Sequence, residues 1–169
     1  MREEPKLIWR ILAYALAVLL TYYLASFVQA FLHYLVGHSV FGRSLHQTHV
    51  RSHHGLYAND VLASDLYSDE EDSLTSYYVI PTVILVALAY FLLPLDILLV
   101  HFGSLALAFY AHVYLHVHYH LTNSWLKRFE WFRRKQRLHY VHHADMSKNF
   151  AVVEFFWDRV FGTYGGLRA

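Results

Sequence analysis

The stretch Leu95-Asp-Ile-Leu-Leu-Val-His-Phe-Gly-Ser-Leu-Ala-Leu-Ala-Phe-Tyr-Ala-His-Val-Tyr-Leu-His-Val-His-Tyr-His120 joins a long apolar run to a series of histidines. Counted to Val117, the run is long enough for a transmembrane helix, since about 20 residues cross a bilayer core. His112, His116 and His120 are four residues apart and therefore share one face of a helix. The stretch predicts a helix that carries histidines to one surface of a membrane.

Two further apolar runs precede this stretch. The first, Leu7–Val36, contains a single charge, Arg10, and is predicted to be a retained membrane anchor. The second is Tyr77–Leu93, and Pro94 with the following Asp separates it from the third run, which predicts a helical hairpin. The expected fold is all-α: an integral membrane helical bundle of about three to four transmembrane helices with a cytoplasmic, histidine-rich cap.

The charges predict which side the histidines face. With three spans, Arg2, Lys6 and Arg10 lie on one side and the other eleven Lys and Arg residues lie on the side of the histidines. The positive-inside rule makes that second side the cytoplasm. If the first run formed two short spans, only the N-terminus would change sides. The segment between the first two runs also carries an acidic patch, Asp69-Glu-Glu-Asp72.

Composition limits the functions to consider. The chain has 169 residues, which suits one domain over residues 1–169, and a net charge of +1, from which no nucleic-acid partner follows. It has no cysteine, which excludes disulfides, cysteine-ligated zinc, iron–sulfur clusters and a thiolate nucleophile. It has 14 histidines, and histidine is the commonest ligand of transition metals.

Most of these histidines fall into four motifs with short, regular spacing. They are His33–His38 (H-x4-H), His49–His54 (H-x3-HH), His116–His120 (H-x3-H) and His139–His143 (H-x2-HH). Residues three or four apart share a helix face, and the second histidine of an HH pair is turned about 100° further, so that each pair can reach two neighbouring metals. Ten histidines exceed the four to six ligands of one ion, so a site for two metals is expected.

Together the four motifs, their order and their sidedness resemble the fatty acid hydroxylase/sterol desaturase superfamily of membrane-bound, histidine-box di-iron enzymes. The resemblance runs from about Phe31 to Tyr164 and includes the ending at Arg137–Phe150 and Phe156–Tyr164. It implies a metal-ligand set of His33, His38, His49, His53, His54, His116, His120, His139, His142 and His143. The second motif is one residue wider than the family's commoner H-x2-HH, which leaves His46 and His49 as competitors for one position. Whether His112 joins the metal shell is also open.

The resemblance further implies a non-haem di-iron oxidoreductase that uses O2 as co-substrate to hydroxylate or desaturate a C–H bond of a membrane lipid, such as a fatty acyl chain or sterol. Zinc is expected to replace iron readily in an isolated sample. The chain is too short to hold an electron-transfer domain as well, so a separate donor (cytochrome b5-like, a ferredoxin or a reductase) is expected. The basic stretch Lys127–Arg137 suits either docking of an acidic donor or binding of anionic lipid.

Two alternatives remain. A carotenoid ring hydroxylase carries similar histidine motifs. A membrane metal-binding or transport protein is a different class, but a transporter should place ligands near the bilayer midplane, where only His101 is expected. Asp145, Asn149 and Asp158 are candidates to accept hydrogen bonds from metal-bound imidazoles, although Asp158 suits a helix cap or an Arg159 pair equally well. The stretch Phe150–Tyr164 is expected to cover the site or lie in the membrane interface.

Overall fold

The computed structural model describes residues 4–58, 61–68 and 78–166, and within these the chain is helical. The α-helices are α1 (Glu4–Leu32), α2 (Ser44–Thr48), α3 (His54–Leu56), α4 (Val79–Leu92), α5 (Leu95–Tyr119), α6 (Glu130–Ala144) and α7 (Phe156–Val160). The described residues form no strand, only an isolated bridge between Ser64 and Leu121. The predicted all-α fold is confirmed. The acidic patch at residues 69–72 lies outside the described residues.

Helices α1 and α5 form the centre of the membrane part, lying side by side in the same direction. Arg10 near the start of α1 donates to Asp96 at the start of α5 at 2.8 Å. Further along, the Gln29 side-chain amide donates to the carbonyl of Ala108 at 3.3 Å. The two helices therefore deliver their histidine-bearing C-terminal ends to the same side, as the sequence predicted.

Among the described residues, two helical stretches are long and apolar enough to cross a membrane: Leu7–His38 and Leu95–Tyr119. Their apolar side chains face outward, as lipid-facing surfaces do; Trp9, for example, is 71% exposed. The helix of the second predicted run, α4, has only 14 residues, about 21 Å at 1.5 Å per residue, against a hydrocarbon core of about 30 Å. The number of spans thus stays a prediction.

Two π-helical turns occur in the described residues, and both contain histidines of the predicted motifs. Helix α1 runs directly into a π-helical turn at His33–His38. A second π-helical turn, His49–His53, joins α2 to α3. A π-turn closes i→i+5 hydrogen bonds and takes in one more residue than an α-turn; such turns are rare and concentrate at functional sites.

The C-terminal part folds back over the histidine-bearing ends of α1 and α5. Residues of α5, of α6 and of the segments on either side of α6 form a hydrophobic core, which comprises Leu115, Tyr119, Leu126, Phe132, Val152 and Val153. The Tyr119 hydroxyl donates to the carbonyl of Val152 at 2.9 Å. The Trp157 indole N–H donates to the carbonyl of Tyr23 on α1 at 2.9 Å. The stretch Phe150–Tyr164, called the tail below, is thereby fixed against α1 and α5.

Candidate metal centre

Nine of the ten predicted ligands lie in two compact groups. In each group, one ring nitrogen of every histidine lies within 4.8 Å of the corresponding nitrogen of every other member. The first group is His33, His38, His49, His54 and His142; the second is His53, His120, His139 and His143. Both groups contain only histidine among the described residues, so every donor atom is an imidazole nitrogen.

The two groups are neighbours because the adjacent-histidine pairs divide between them. His54 belongs to the first group and His53 to the second. His142 and His143 divide in the same way. Across the boundary, the ring centroids of His54 and His143 are 4.3 Å apart. This division is what the spacing of the HH pairs predicted: two sites side by side that share the same short segments.

The π-turns explain how residues five apart reach one group. On an α-helix, residues three or four apart lie on the same face. A π-turn closes an i→i+5 hydrogen bond and contains one more residue, so residues five apart lie on the same face there. His33 and His38 are five apart, and their Nε2 atoms approach to 3.2 Å. His49 and His54 are also five apart and belong to the same first group. The extra residue in the second motif is therefore absorbed by a widened turn.

The outer ring nitrogens of four histidines point to backbone carbonyls. The Nδ1 atoms of His33 and His142 lie 2.6 Å and 2.7 Å from the carbonyl oxygens of Phe150 and Lys148. In the second group, the carbonyl of Leu62 is 2.8 Å from Nδ1 of His120, and that of Tyr57 is 2.9 Å from Nδ1 of His143. A carbonyl only accepts, so each Nδ1 carries the proton and each Nε2 keeps a lone pair.

These lone pairs converge inside the groups. The Nε2 atoms of His120 and His143 lie 2.9 Å and 3.2 Å from Nε2 of His139. His139 can carry at most one proton on that atom, so it can donate to only one of the two neighbours. In the first group, Nε2 of His142 is buried without a hydrogen-bond partner among the described residues. A cation at each group would satisfy all of these lone pairs.

Burial keeps the imidazoles uncharged. His139 and His142 are fully buried. Burial first, and neighbouring imidazoles second, lower the pKa of both well below the usual value. Burial is also the main cause that lowers the pKa of His143 to about 3. Neutral imidazole is the form that binds metal, so the site is ready to bind metal at neutral pH.

The donor set fits a pair of transition-metal ions. It offers several neutral nitrogen donors per group. In four of these histidines, a carbonyl fixes the outward Nδ1 atom and the inward Nε2 atom lacks a proton. Imidazole ligands suit iron, zinc, copper and nickel and do not suit magnesium or calcium. The groups contain none of the bridging carboxylates of soluble di-iron bundles.

The tenth predicted ligand, His116, lies beside the second group rather than in it. Its ring centroid is 4.6 Å from that of His53 and 5.0 Å from that of His139. His112 lies one turn earlier on α5, and its ring is 5.0 Å from that of Tyr78. His46 belongs to neither group: its Nδ1 faces the carbonyl of Gly37 at 2.8 Å. Of the two competitors in the second motif, the geometry favours His49.

Two histidines have separate environments. His101 lies within the apolar part of α5, with Nδ1 2.7 Å from the hydroxyl of Thr21 on α1. His118 faces away from both groups, with Nδ1 2.8 Å from the hydroxyl of Ser124. Each of these two histidines is thus paired with a hydroxyl group outside the two groups.

Two of the three predicted partners of the imidazoles, Asn149 and Asp158, direct their side-chain hydrogen bonds to backbone groups and to Thr163 rather than to imidazoles. Asp145 accepts from the backbone and hydroxyl of Ser147 at 3.0 Å and 2.6 Å. The observed acceptors of the imidazole N–H groups are main-chain carbonyls, which have no signature in sequence. The predicted direct contact with an imidazole was thus wrong for Asn149 and Asp158.

Asn149 and Asp158 act one step behind those carbonyls. Asp158 is 1% exposed, and its carboxylate accepts from the backbone N–H groups of Phe150 and Ala151 at 2.8 Å and 3.1 Å. Asn149 has φ of 52° and donates to the carbonyl of Leu138 at 2.9 Å. The two side chains fix the segment whose carbonyls hold His33 and His142.

One contributor was missed by sequence reasoning. Tyr57 is 1% exposed, and its ring stacks on that of His120 with a centroid distance of 4.0 Å. Its carbonyl also holds His143. The available signal was its position three residues after His54, where an aromatic ring can close over a site.

The fold and the site together define an all-helical protein with two apolar helices of membrane-spanning length and a buried, all-histidine centre suited to metal. The sequence model of the fatty acid hydroxylase family matches residues 18–163, and the chain belongs to that family. Comparisons with curated proteins and with solved structures gave no significant match. The suspected family is therefore confirmed, and membership indicates a membrane-associated oxidoreductase.

Proposed function

We propose that this protein is an O2-dependent di-iron hydroxylase or desaturase that acts on an unactivated C–H bond of a membrane lipid, such as a fatty acyl chain or a sterol. The observation that carries the proposal is the pair of adjacent all-histidine groups joined by two shared HH pairs. Family membership adds the reaction type. Ligation by ten histidines, with His116 completing the second group, is part of the proposal.

Two iron ions bound in these groups supply the activation of O2. The balance for hydroxylation is R–H + O2 + 2e⁻ + 2H⁺ giving R–OH + H2O; for desaturation, two hydrogens leave one –CH2–CH2– unit and two waters form. The protein's own contribution is to hold the imidazoles neutral and aimed inward through their Nδ1 hydrogen bonds. The tail excludes bulk water, since His139 and His142 are fully buried.

The reaction needs two electrons from outside the chain. We propose that a separate donor docks on the side of the histidines and that this side is cytoplasmic, as the positive-inside rule predicts from the distribution of Lys and Arg. The predicted basic surface is partly neutralised: Arg133 and Arg137 pair with Glu130 at 2.5 Å and 3.0 Å. Arg128 lies over the ring of Trp125 at 4.6 Å. The same surface also suits anionic lipid headgroups.

The test is lipid profiling of a host with and without this protein, under air and under nitrogen. The expected result is a lipid that gains one oxygen or loses two hydrogens, formed only in air. Purified protein reconstituted with ferrous iron should hold about two irons per chain and consume O2 when a chemical reductant is supplied.

The matched variants are His142→Ala and His118→Ala. His142 lies in the first group, whereas His118 lies on the same side of the membrane but pairs with Ser124. His142→Ala should lose the lipid product and His118→Ala should keep it. An unchanged lipid profile, together with one loosely held metal that His142→Ala does not affect, would favour the metal-binding or transport alternative.

A further inference from the structure

An apolar cavity of about 430 Å³ opens beside the first histidine group. It lies between the last turns of α1 and the C-terminal tail, and its walls include Phe27, Phe31, Trp157 and Phe161. Phe31 and Phe161 are 44% and 58% exposed, so the outer side of the cavity is open to the surroundings of the helices. Its size lies within the roughly 300–1,000 Å³ of ligand pockets.

The inner wall of the cavity is the ring of Phe150, which is 5% exposed. The imidazoles of the first group lie close to that ring. The centroids of His38 and His142 are each 5.6 Å from that of Phe150, and the centroid of His33 is 6.1 Å away. The ring of Phe150 therefore borders both the apolar cavity and the first histidine group.

A second cleft, of about 320 Å³, gives a useful contrast. It lies lower on α1, around Ala17 and Leu24, and reaches the turn at Pro94. Leu24 is nine residues before His33, about 14 Å along a helix. The second cleft includes His101, which belongs to neither histidine group, and a lipid chain confined to this cleft would stay clear of both groups.

We propose that Phe150 is a specificity-determining residue: the acyl chain of a membrane lipid occupies the cavity beside α1, and the Phe150 ring limits how far it advances toward the first histidine group. This inference rests on the proposed function and adds the place and depth of substrate binding. The chemistry agrees, because the walls are mainly aromatic, as suits an apolar chain entering from lipid. Asp158 also lines the cavity, but it is 1% exposed and its carboxylate accepts hydrogen bonds from Phe150, Ala151 and Thr163. The backbone of Phe150 has a separate role, since its carbonyl accepts from His33, so a side-chain substitution leaves that hydrogen bond available.

The first experiment measures occupancy independently of turnover. The full-length protein is placed in phosphatidylcholine nanodiscs that contain a phosphatidylcholine with a photoactivatable diazirine on its acyl chain, and crosslinks are mapped by mass spectrometry. Wild type should be labelled at residues 27–34 and 157–163. Ala30→Trp, which fills the cavity, should reduce that labelling at least tenfold, whereas Ala17→Trp in the second cleft should not. Labelling centred on residues 13–24 and 93–101, or an unchanged pattern in Ala30→Trp, would overturn the inference.

The second experiment measures depth. In Phe150→Ala the acyl chain should advance further, so labelling should extend to peptides that contain His38 or His142. The oxidised carbon should then lie further from the end of the chain that enters the cavity first. Phe150→Trp should shift labelling outward and lower product formation. Both variants should bind as much zinc per chain as wild type, which would show that the fold and the His33 hydrogen bond are kept. If Phe150→Ala loses zinc, Phe150→Leu is used in its place.

The two proposals fail in different ways. Oxidised lipid that keeps the same position and amount in all Phe150 variants would overturn the role of Phe150 and leave the oxygenase function standing. Labelling of the cavity with no oxidised lipid in any preparation would overturn the oxygenase function and support the cavity as a lipid site.

Discussion

The substitution Asp158→Asn tests how the tail supports the first histidine group. Oδ1 of Asp158 accepts from the N–H of Phe150 at 2.8 Å and from the hydroxyl of Thr163 at 2.8 Å, and its Oδ2 accepts from the N–H of Ala151 at 3.1 Å. Asp158→Asn keeps the shape but replaces one oxygen by an NH2 group, which cannot accept. At least one buried backbone N–H then loses its acceptor.

The expected size follows from that loss. An unsatisfied buried N–H costs about 1–3 kcal/mol of folding free energy. Because the carbonyl of Phe150 holds Nδ1 of His33 at 2.6 Å, a displaced loop also misaligns that imidazole. Loss of such supporting hydrogen bonds typically weakens metal affinity about 10–100-fold. Asp158→Asn should therefore bind one zinc per chain about 10–100-fold more weakly and leave the second zinc nearly unchanged.

The assay is a zinc titration of the detergent-solubilised protein against a competing chelator, with thermal unfolding of the metal-free protein measured in parallel. Glu130→Gln is the control, because it also removes a carboxylate but at an exposed position where ion pairs contribute about 0–1 kcal/mol. If Asp158→Asn lowers stability but binds both zinc ions as wild type does, Asp158 supports only the fold and the argument for His33 is refuted.

Three further results are expected. His142→Ala and His143→Ala should each bind about one metal fewer per chain while His118→Ala binds as wild type, because the first two lie in different groups; equal metal content in all three would contradict the assignment. Metal content and stability should fall as pH falls from 6.5 toward 3, because the pKa of His143 is lowered to about 3 and the unfolded chain therefore takes up its proton first; metal retained down to about pH 4 would argue against imidazole ligation. Tyr57→Leu should lower the thermal midpoint and the stability by about 0.5–1.5 kcal/mol beyond the loss of buried area, since the ring stacks on His120, whereas Tyr57→Phe should be milder; equal effects of the two variants would exclude stacking as the cause.

Much of the architecture could be predicted from pattern alone. The apolar runs at residues 7–36 and 95–117 predicted the two long helices, because a long stretch of apolar side chains is stable only when lipid or a core surrounds it. The order of the runs also predicted that both histidine-bearing ends meet on one side. The weaker prediction concerned the middle run, whose helix, Val79–Leu92, is shorter than a typical span.

The candidate ligands could be predicted because their spacing is local. Residues a fixed number of positions apart on a helix share a face regardless of the rest of the fold, so the HH pairs at 53–54 and 142–143 already indicated two neighbouring sites. Spacing could not reveal the π-turns, because no residue type specifies them. Such turns are rare and occur mostly at functional sites, and here both lie where the histidines converge. The choice of His49 over His46 depends on that turn.

The amino-acid sequence by itself determined the class of protein: membrane-length helices, an all-nitrogen donor set and the spacing that distributes it over two sites. Only the tertiary structure decided what holds the imidazoles and what approaches them. The acceptors of His33, His120, His142 and His143 are main-chain carbonyls, which every residue carries and no sequence pattern distinguishes. The cavity behind Phe150 likewise forms between segments more than 100 residues apart, and only their packing brings its walls together.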